Sequence, residues 1–136
     1  MFSNTCTVRT PLLHVEDDDA MAFAFQAALV EVNIQATVYH VSDGEQALEY
    51  LRRGAIRPDV VFLDVNLPRV DGWQMLKEMR ADDSLSSIPV VILSTSSRKA
   101  DKDRAKALGV QHYLAKPSTF DGLVAAVGAT YRSLAI

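Results

Sequence analysis

The chain has 136 residues, of which 49% are hydrophobic and 23% are charged, the composition of one globular domain with a core of its own. A net charge of −3 gives no sign of the basic footprint of a nucleic-acid binder. The single cysteine, Cys6, excludes an internal disulfide framework and a cysteine-rich zinc site. No segment reaches the ~18 apolar residues of a membrane span, and the first ten residues lack an apolar signal-peptide core. We therefore expect a cytoplasmic protein that binds neither nucleic acid nor membrane.

Short apolar runs alternate with helical segments along the chain. The predicted strands cover residues 12–15, 37–41, 60–63, 90–93 and 113–115. The third run is apolar at every position, as in a strand that helices cover on both faces. The predicted helices cover residues 20–32, 43–51, 72–80 and 99–108, and a fifth follows Thr119. Five strands alternating with five helices predict an open, mostly parallel α/β fold.

Polar residues follow four of the predicted strands at their carboxyl ends, which is where sheets of this class bind ligands. In chain order they are Glu16-Asp17-Asp18-Asp19, Asp64, Ser94-Thr95 and Lys116-Pro117. Packed carboxylates repel each other unless a cation compensates, and an all-oxygen set suits Mg²⁺ or Mn²⁺. A carboxylate beside such a metal can attack phosphorus and form an aspartyl phosphate. Lys116 and the Ser94 hydroxyl would then hold the phosphoryl oxygens.

Some of these residues also have a purely structural interpretation. Asp18 and Asp19 precede a helix, where acidic side chains cap backbone N–H groups. Lys116 alone is consistent with a surface lysine, and hydroxyls such as Ser94 are common at strand ends. Asp64 differs because an acid directly after four apolar strand residues is costly to bury without a function.

Four segments resemble the receiver domain of two-component response regulators, over roughly residues 10–134: LLHVEDD (12–18), PDVVFLDVNLPRVDGWQML (58–76), IPVVILSTSS (88–97) and YLAKP (113–117). The chain is most similar to chemotaxis-regulator-like, stand-alone regulators paired with phytochrome-type histidine kinases. The resemblance implies a flavodoxin-like, doubly wound, five-stranded parallel sheet of order 2-1-3-4-5, with five helices, in a three-layer sandwich. It also implies an N-terminal tail over residues 1–7 and a single receiver domain over residues 8–136, without an output domain.

The same resemblance implies a single-domain response regulator in phosphorelay signal transduction. Asp64 is the implied phosphoacceptor, which takes a phosphoryl group from a sensor histidine kinase in a Mg²⁺-dependent reaction, with Mn²⁺ as an alternative ion. The implied metal ligands are Glu16, Asp17, Asp64 and the backbone carbonyl of Asn66. Such a protein is a phosphoacceptor switch with autophosphatase activity, and not an ordinary enzyme.

Further roles carry over from the family motif. Ser94 is the implied switch hydroxyl, and Lys116 is the lysine that pairs with the phosphoryl group. The Lys116–Pro117 peptide bond is expected to be cis. Tyr113 is the aromatic residue that turns inward when the hydroxyl moves. The two positions expected to tune dephosphorylation are Asn66 and Ser96.

Helix one is unusually poor in charge. Between residues 20 and 30 only Gln26 is polar, so Met21, Phe23 and Phe25 cannot all face the sheet. Either the N-terminal tail covers the apolar side chains that do not face the sheet, or these side chains form a docking surface on helix one. In the resembled family, helix one meets the phosphotransfer domain of the kinase, and the resemblance to phytochrome-paired regulators points to a bacteriophytochrome as that kinase.

Helix five is also poor in charge. Its predicted core-facing stripe is Phe120, Leu123, Val124, Val127 and Tyr131. This leaves an outer face of small residues, Ala125, Ala126, Gly128 and Ala129. An uncharged face of this kind is either a bland surface or a protein contact. We expect a homodimer through helix four, strand five and helix five, since two-fold dimers are the commonest assemblies.

Two other function classes use similar residues. A haloacid-dehalogenase-type phosphohydrolase combines a nucleophilic aspartate, a hydroxyl, a lysine and metal-binding acids, but its nucleophile opens a D-x-D motif on the first strand. Here the candidate, Asp64, ends the third strand. A phosphorylation-independent pseudo-receiver would lack the acid pair, the aspartate or the lysine, and this chain keeps all of them.

Overall fold

The computed structural model describes residues 10–65, 71–96 and 98–134. The strands are β1 Thr10–Val15, β2 Ala36–Val41, β3 Val60–Leu63, β4 Val90–Ser94 and β5 His112–Ala115. The helices are α1 Asp19–Glu31, α2 Gly44–Arg53, α3 Gly72–Ala81, α4 Lys99–Ala107 and α5 Phe120–Leu134. All strand pairs are parallel, in the order β2-β1-β3-β4-β5. The predicted fold class and strand order are therefore confirmed.

Side-chain alternation along the strands divides the core into two layers. Leu13, Val61 and Leu63 point into a cluster that also contains buried residues of α2, α3 and α4. Leu12, Val60 and Phe62 point the other way, into a cluster with α1 and α5. The uniformly apolar β3 is buried at all four positions, because helices cover both of its faces.

Aspartates cap the first three helices. The side chains of Asp18, Asp43 and Asp71 each accept a hydrogen bond from a backbone N–H in the first turn of the helix that follows. The structural interpretation of Asp18 is therefore correct. At the other end of α2, Gly54 has φ 70°, a left-handed conformation that favours glycine.

Gly72 lets α3 begin directly against the end of β3. Its N–H donates to the Val65 carbonyl at 3.1 Å. A Cβ at this position would lie 2.3 Å from Val65 Cα and 2.6 Å from the Asp64 carbonyl oxygen, so a larger residue would displace the backbone next to Asp64.

Three expectations about α5 and the segment between β5 and α5 are wrong. The Lys116–Pro117 bond is trans rather than cis, the isomer that X–Pro bonds prefer intrinsically. Phe120 is 44% exposed instead of facing the core. Gly128, assigned to the outer face, is buried where α5 packs on α1, and a Cβ on it would lie 3.2 Å from a Val32 methyl group.

The predicted N-terminal tail and Cys6 lie outside the described residues. Within residues 10–134, apart from positions 66–70 and 97, no helix combines the length and the apolar character needed to cross a membrane.

Candidate functional site

Two buried acids lie side by side where β1 and β3 end. Val15 and Leu63 are register partners, so the next residues, Glu16 and Asp64, leave the sheet together. The Asp64 N–H donates to the Val15 carbonyl at 3.0 Å, which continues the strand pairing by one residue. Glu16 is 1% exposed and Asp64 is 5% exposed. The sheet thus fixes both carboxylates in a largely water-excluded position.

The ammonium of Lys116 joins these two acids. Its Nζ lies 2.9 Å from Glu16 Oε1 and 2.9 Å from Asp64 Oδ2. The lysine backbone is fixed by its N–H, which donates to the Ser94 carbonyl at 2.7 Å. Burial favours a lower pKa for Lys116, but hydrogen bonds and charge from Glu16 and Asp64 outweigh it and raise the pKa above the ordinary lysine value. Lys116 is therefore a cation at neutral pH.

Glu16 is held by both its side chain and its backbone. Burial raises the pKa of Glu16, and this effect is opposed by Lys116 and by the Asp18 N–H, which donates to Glu16 Oε2 at 3.2 Å. His40 Nε2 lies 2.7 Å from the Glu16 carbonyl oxygen and donates to it, since a carbonyl can only accept. The sequence reasoning missed this contact of His40, because it depends on the register between β1 and β2.

His14, the register partner of His40, is a packing residue. Its ring stacks on Phe25 with a centroid distance of 4.1 Å. Burial, together with the charges of His40 and Lys116, lowers the pKa of His14 to about 3, so the imidazole is neutral. His14 thus supports the buried end of β1 without adding charge to the acidic site.

Three of the predicted metal ligands form one cluster. Glu16, Asp17 and Asp64 each offer a carboxylate oxygen, and these oxygens lie within 4.8 Å of one another. Asp17 is exposed, so the cluster is open to solvent on that side. An all-oxygen donor set fits a hard divalent cation such as Mg²⁺ or Mn²⁺. Asn66, the fourth predicted ligand, lies outside the described residues.

The hydroxyl predicted at the end of β4 lies on the strand next to β3, which leads into Asp64. Leu63 pairs with Ile92, so Asp64 and Ser94 end neighbouring strands. Ser94 is fully buried, and its Oγ accepts a hydrogen bond from the Ser96 N–H at 3.1 Å. Tyr113, on β5, donates from its hydroxyl to the Ser96 carbonyl at 2.8 Å. The structure therefore brings Glu16, Asp17, Asp64, Ser94 and Lys116 to one edge of the sheet.

Comparison with known proteins agrees with this arrangement. The sequence matches the response regulator receiver domain over residues 12–128. It is 37% identical over 116 residues to the probable methanogenesis regulatory protein FilR2 of Methanothrix harundinacea. This alignment covers 82% of this chain and 75% of FilR2. The chain spans about half the length of several further curated relatives.

Two solved structures share the fold over most of their length. The phosphorylated cyanobacterial phytochrome response regulator RcpA superposes with a TM-score of 0.86 at 34% identity, over 94% of this chain and 95% of RcpA. The Mn²⁺-bound response regulator Rcp1 gives a TM-score of 0.81 at 31% identity, over 88% and 90% of the two chains. With the family match over most of the sequence and the same fold in these regulators, the chain belongs to the response regulator receiver domain family.

Proposed function

We propose that the protein is a signalling switch that accepts a phosphoryl group on Asp64 from a sensor histidine kinase, in a reaction that depends on Mg²⁺ or, alternatively, Mn²⁺. The observation that carries the proposal is the position of Lys116 Nζ, 2.9 Å from carboxylate oxygens of both Glu16 and Asp64. A protonated amine held against a buried carboxylate provides positive charge at the point where phosphoryl charge would arrive.

Asp64 is the nucleophile in this proposal. One of its carboxylate oxygens forms the new bond to phosphorus, while the bond from phosphorus to the donor nitrogen breaks and the donor imidazole keeps that electron pair. Lys116 stays beside the phosphoryl oxygens and offsets their negative charge. The Ser94 hydroxyl, at the end of the neighbouring strand, donates a hydrogen bond to one of them.

Glu16, Asp17 and Asp64 would hold the metal. When bound, Mg²⁺ supplies charge neutralisation and orients the phosphoryl oxygens. The proposal is supported by RcpA, whose structure is of the phosphorylated protein, and by Rcp1, whose structure contains Mn²⁺. Three further roles remain predictions. They are the Asn66 carbonyl as a metal ligand, the tuning of dephosphorylation by Asn66 and Ser96, and hydrolysis of the phosphoryl group by the protein itself.

We propose that α1 is the docking surface for the kinase. Phe23 and Val30 are 77% and 75% exposed. Seven residues are two helical turns, so both side chains lie on one face of α1, opposite the buried Phe25. Exposed apolar side chains of this size are typical of protein contacts. The partner is the phosphotransfer domain of a histidine kinase, and the likeness to RcpA favours one of the phytochrome type.

We further propose a two-fold dimer through α4, β5 and α5. Ala125 and Ala129 are exposed on α5 and form an uncharged strip of small residues, which permits close approach of a second helix. Phe120 adds an exposed aromatic ring at the start of the same helix.

The phosphoacceptor is tested by intact mass after incubation with Mg²⁺ and acetyl phosphate. We expect one phosphoryl adduct in the wild-type protein and none in Asp64→Asn or in EDTA, because the nucleophile or its metal is then missing. Asp59→Asn, at the exposed residue directly before the same strand, is the matched control and should keep the adduct.

Three results would contradict this assignment. An adduct that persists in Asp64→Asn would mean another nucleophile. Absence of an adduct on the folded wild-type protein, with acetyl phosphate and with a phosphorylated kinase alike, would favour a phosphorylation-independent module. Steady turnover of a small phosphomonoester would favour a phosphohydrolase.

Lys116→Met should make stability depend on the metal. In EDTA we expect the free energy of unfolding to fall by about 3 kcal/mol, because Glu16 and Asp64 keep their burial but lose their cation. Saturating Mg²⁺ should restore part of this loss, and urea unfolding measures both values. Arg53→Met, whose ion pair with Glu49 is exposed, should change stability by less than ~0.5 kcal/mol in either condition. Equal losses for Lys116→Met with and without Mg²⁺ would argue against a shared site.

Phe23→Gln should separate docking from chemistry. We expect phosphotransfer from a phosphorylated phytochrome-type kinase domain to slow by about tenfold or more, the effect of losing a buried aromatic contact. Phosphorylation by acetyl phosphate should keep its wild-type rate, since Phe23 is not part of the acidic site. Glu45→Gln, an exposed change on α2, is the control. Unchanged transfer from the kinase would remove α1 from the docking surface.

Ala125→Arg should weaken the dimer. The substitution places a long, charged side chain on the exposed strip of α5, where two copies would bring like charges together. Light scattering over a range of concentrations, with and without Mg²⁺ and acetyl phosphate, gives the molar mass. A wild-type protein with the mass of one chain under every condition would exclude the dimer.

A further inference from the structure

Ser96 connects three elements around the carboxyl edge of the sheet. Its N–H donates to Ser94 Oγ at 3.1 Å, at the end of β4. Its carbonyl accepts from the Tyr113 hydroxyl of β5 at 2.8 Å. Its own hydroxyl donates to Asp101 Oδ2, in the first turn of α4, at 2.5 Å. A displacement of Ser96 would therefore strain or break its hydrogen bonds to both β5 and α4.

α4 has few other attachments to the body of the protein. Of its nine residues, all of them described, only Ala105 is buried. The remaining residues are mostly charged, and Arg104 lies over the Trp73 ring at 4.4 Å from the ring centroid. Asp101 is thus the side chain through which the β4–α4 connection holds the start of the helix, with a further contact from Arg98 Nη2 at 3.3 Å.

We propose that Asp101 is a positioning residue that makes α4 follow the Ser94 hydroxyl, through the Ser94–Ser96–Asp101 chain of hydrogen bonds. The inference rests on the proposed phosphorylation of Asp64. When Ser94 Oγ turns to donate to a phosphoryl oxygen, it moves away from the Ser96 N–H. That N–H, which is part-buried, has to find another acceptor, since an unsatisfied buried donor is costly. The Ser96 backbone shifts, and the Ser96–Asp101 hydrogen bond carries the shift to α4.

A simpler role for Asp101 would be to stabilise the start of α4. An acidic side chain in the first turn interacts favourably with the helix dipole, whatever its neighbours do. The hydrogen bond from Ser96 is the largest cause that lowers the pKa of Asp101, ahead of the charges of Arg98 and Arg104. The contact from the Ser96 hydroxyl, at 2.5 Å, is also shorter than the contact from Arg98, at 3.3 Å. A measurement on both states of the switch separates the two roles.

The test is amide hydrogen exchange of α4 in the full chain, with and without Mg²⁺ and beryllofluoride as a stable phosphoryl mimic. In the wild-type protein we expect the mimic to change the exchange of the α4 amides. In Asp101→Ala, α4 should exchange about fivefold faster before the mimic is added, the effect of one lost hydrogen bond, and the mimic should add no further change. Emission from Trp73, the single tryptophan, should follow the same pattern through its contact with Arg104.

Two further variants separate positioning from general helix stability. Asp101→Asn keeps an oxygen acceptor for the Ser96 hydroxyl but loses the charge, so it should retain the wild-type response to the mimic. Asp103→Ala removes an exposed carboxylate from the same helix and is the matched control for charge. All variants should still acquire the phosphoryl adduct from acetyl phosphate, because neither position belongs to the acidic site.

The outcomes distinguish this inference from the function on which it rests. A wild-type response in Asp101→Ala, or an α4 that does not respond in a wild-type protein that takes up the phosphoryl group, would overturn the positioning role. Loss of the response in Asp101→Asn as well would assign the effect to charge and overturn it too. Failure of the wild-type protein to form any adduct, with acetyl phosphate and with a kinase donor, would instead overturn the proposed function.

Discussion

The ion pairs of Lys116 are the interaction on which the functional edge depends. Two parallel strands end next to each other and bury Glu16 and Asp64 side by side, an arrangement that would be strongly unfavourable without a cation. Lys116 supplies one positive charge to both acids. Asp17, which is exposed, adds a third carboxylate, so the cluster still carries excess negative charge after Lys116 is counted. A bound divalent cation can balance this charge. The same electrostatic requirement therefore explains the lysine, the clustering of acids that could hold a metal ion and the position of the candidate nucleophile.

The fold and the composition of the site could be predicted because both follow from local pattern and topology. The apolar β3 run and the alternation of strands and helices specify a parallel sheet, and parallel strands bring their carboxyl ends to one edge. What the sequence could not supply were features set by packing between distant elements. Gly128 is buried because α5 lies against Val32 at the end of α1. The contact of His40 with the Glu16 carbonyl depends on strand register.

The apolar sequence of α1 shows which features the sequence pattern predicts and which depend on packing. The sequence shows that Met21, Phe23 and Phe25 cannot all be buried, but it does not say which one is exposed. The structure decides this because Phe25 packs against two aromatic rings, His14 at 4.1 Å and Phe62 at 4.8 Å between centroids. Once Phe25 occupies that position, helical periodicity directs Phe23 to solvent.

Helices α1 and α4 differ in how firmly they are attached to the sheet, and this difference bears on how the edge could work as a switch. α1 buries four residues, among them Phe25 and Leu29, and packs along α5. α4 buries one residue, and its first turn is held through the hydroxyl of Ser96. Regions with few buried apolar contacts are the ones that open or shift at lowest cost. A firm helix suits a docking surface that must stay in place during transfer, and a lightly held helix suits the element that changes afterwards. Both helices begin at the same carboxyl edge, so in the proposed function a change of charge at Asp64 would act most on α4, the helix that is held more lightly.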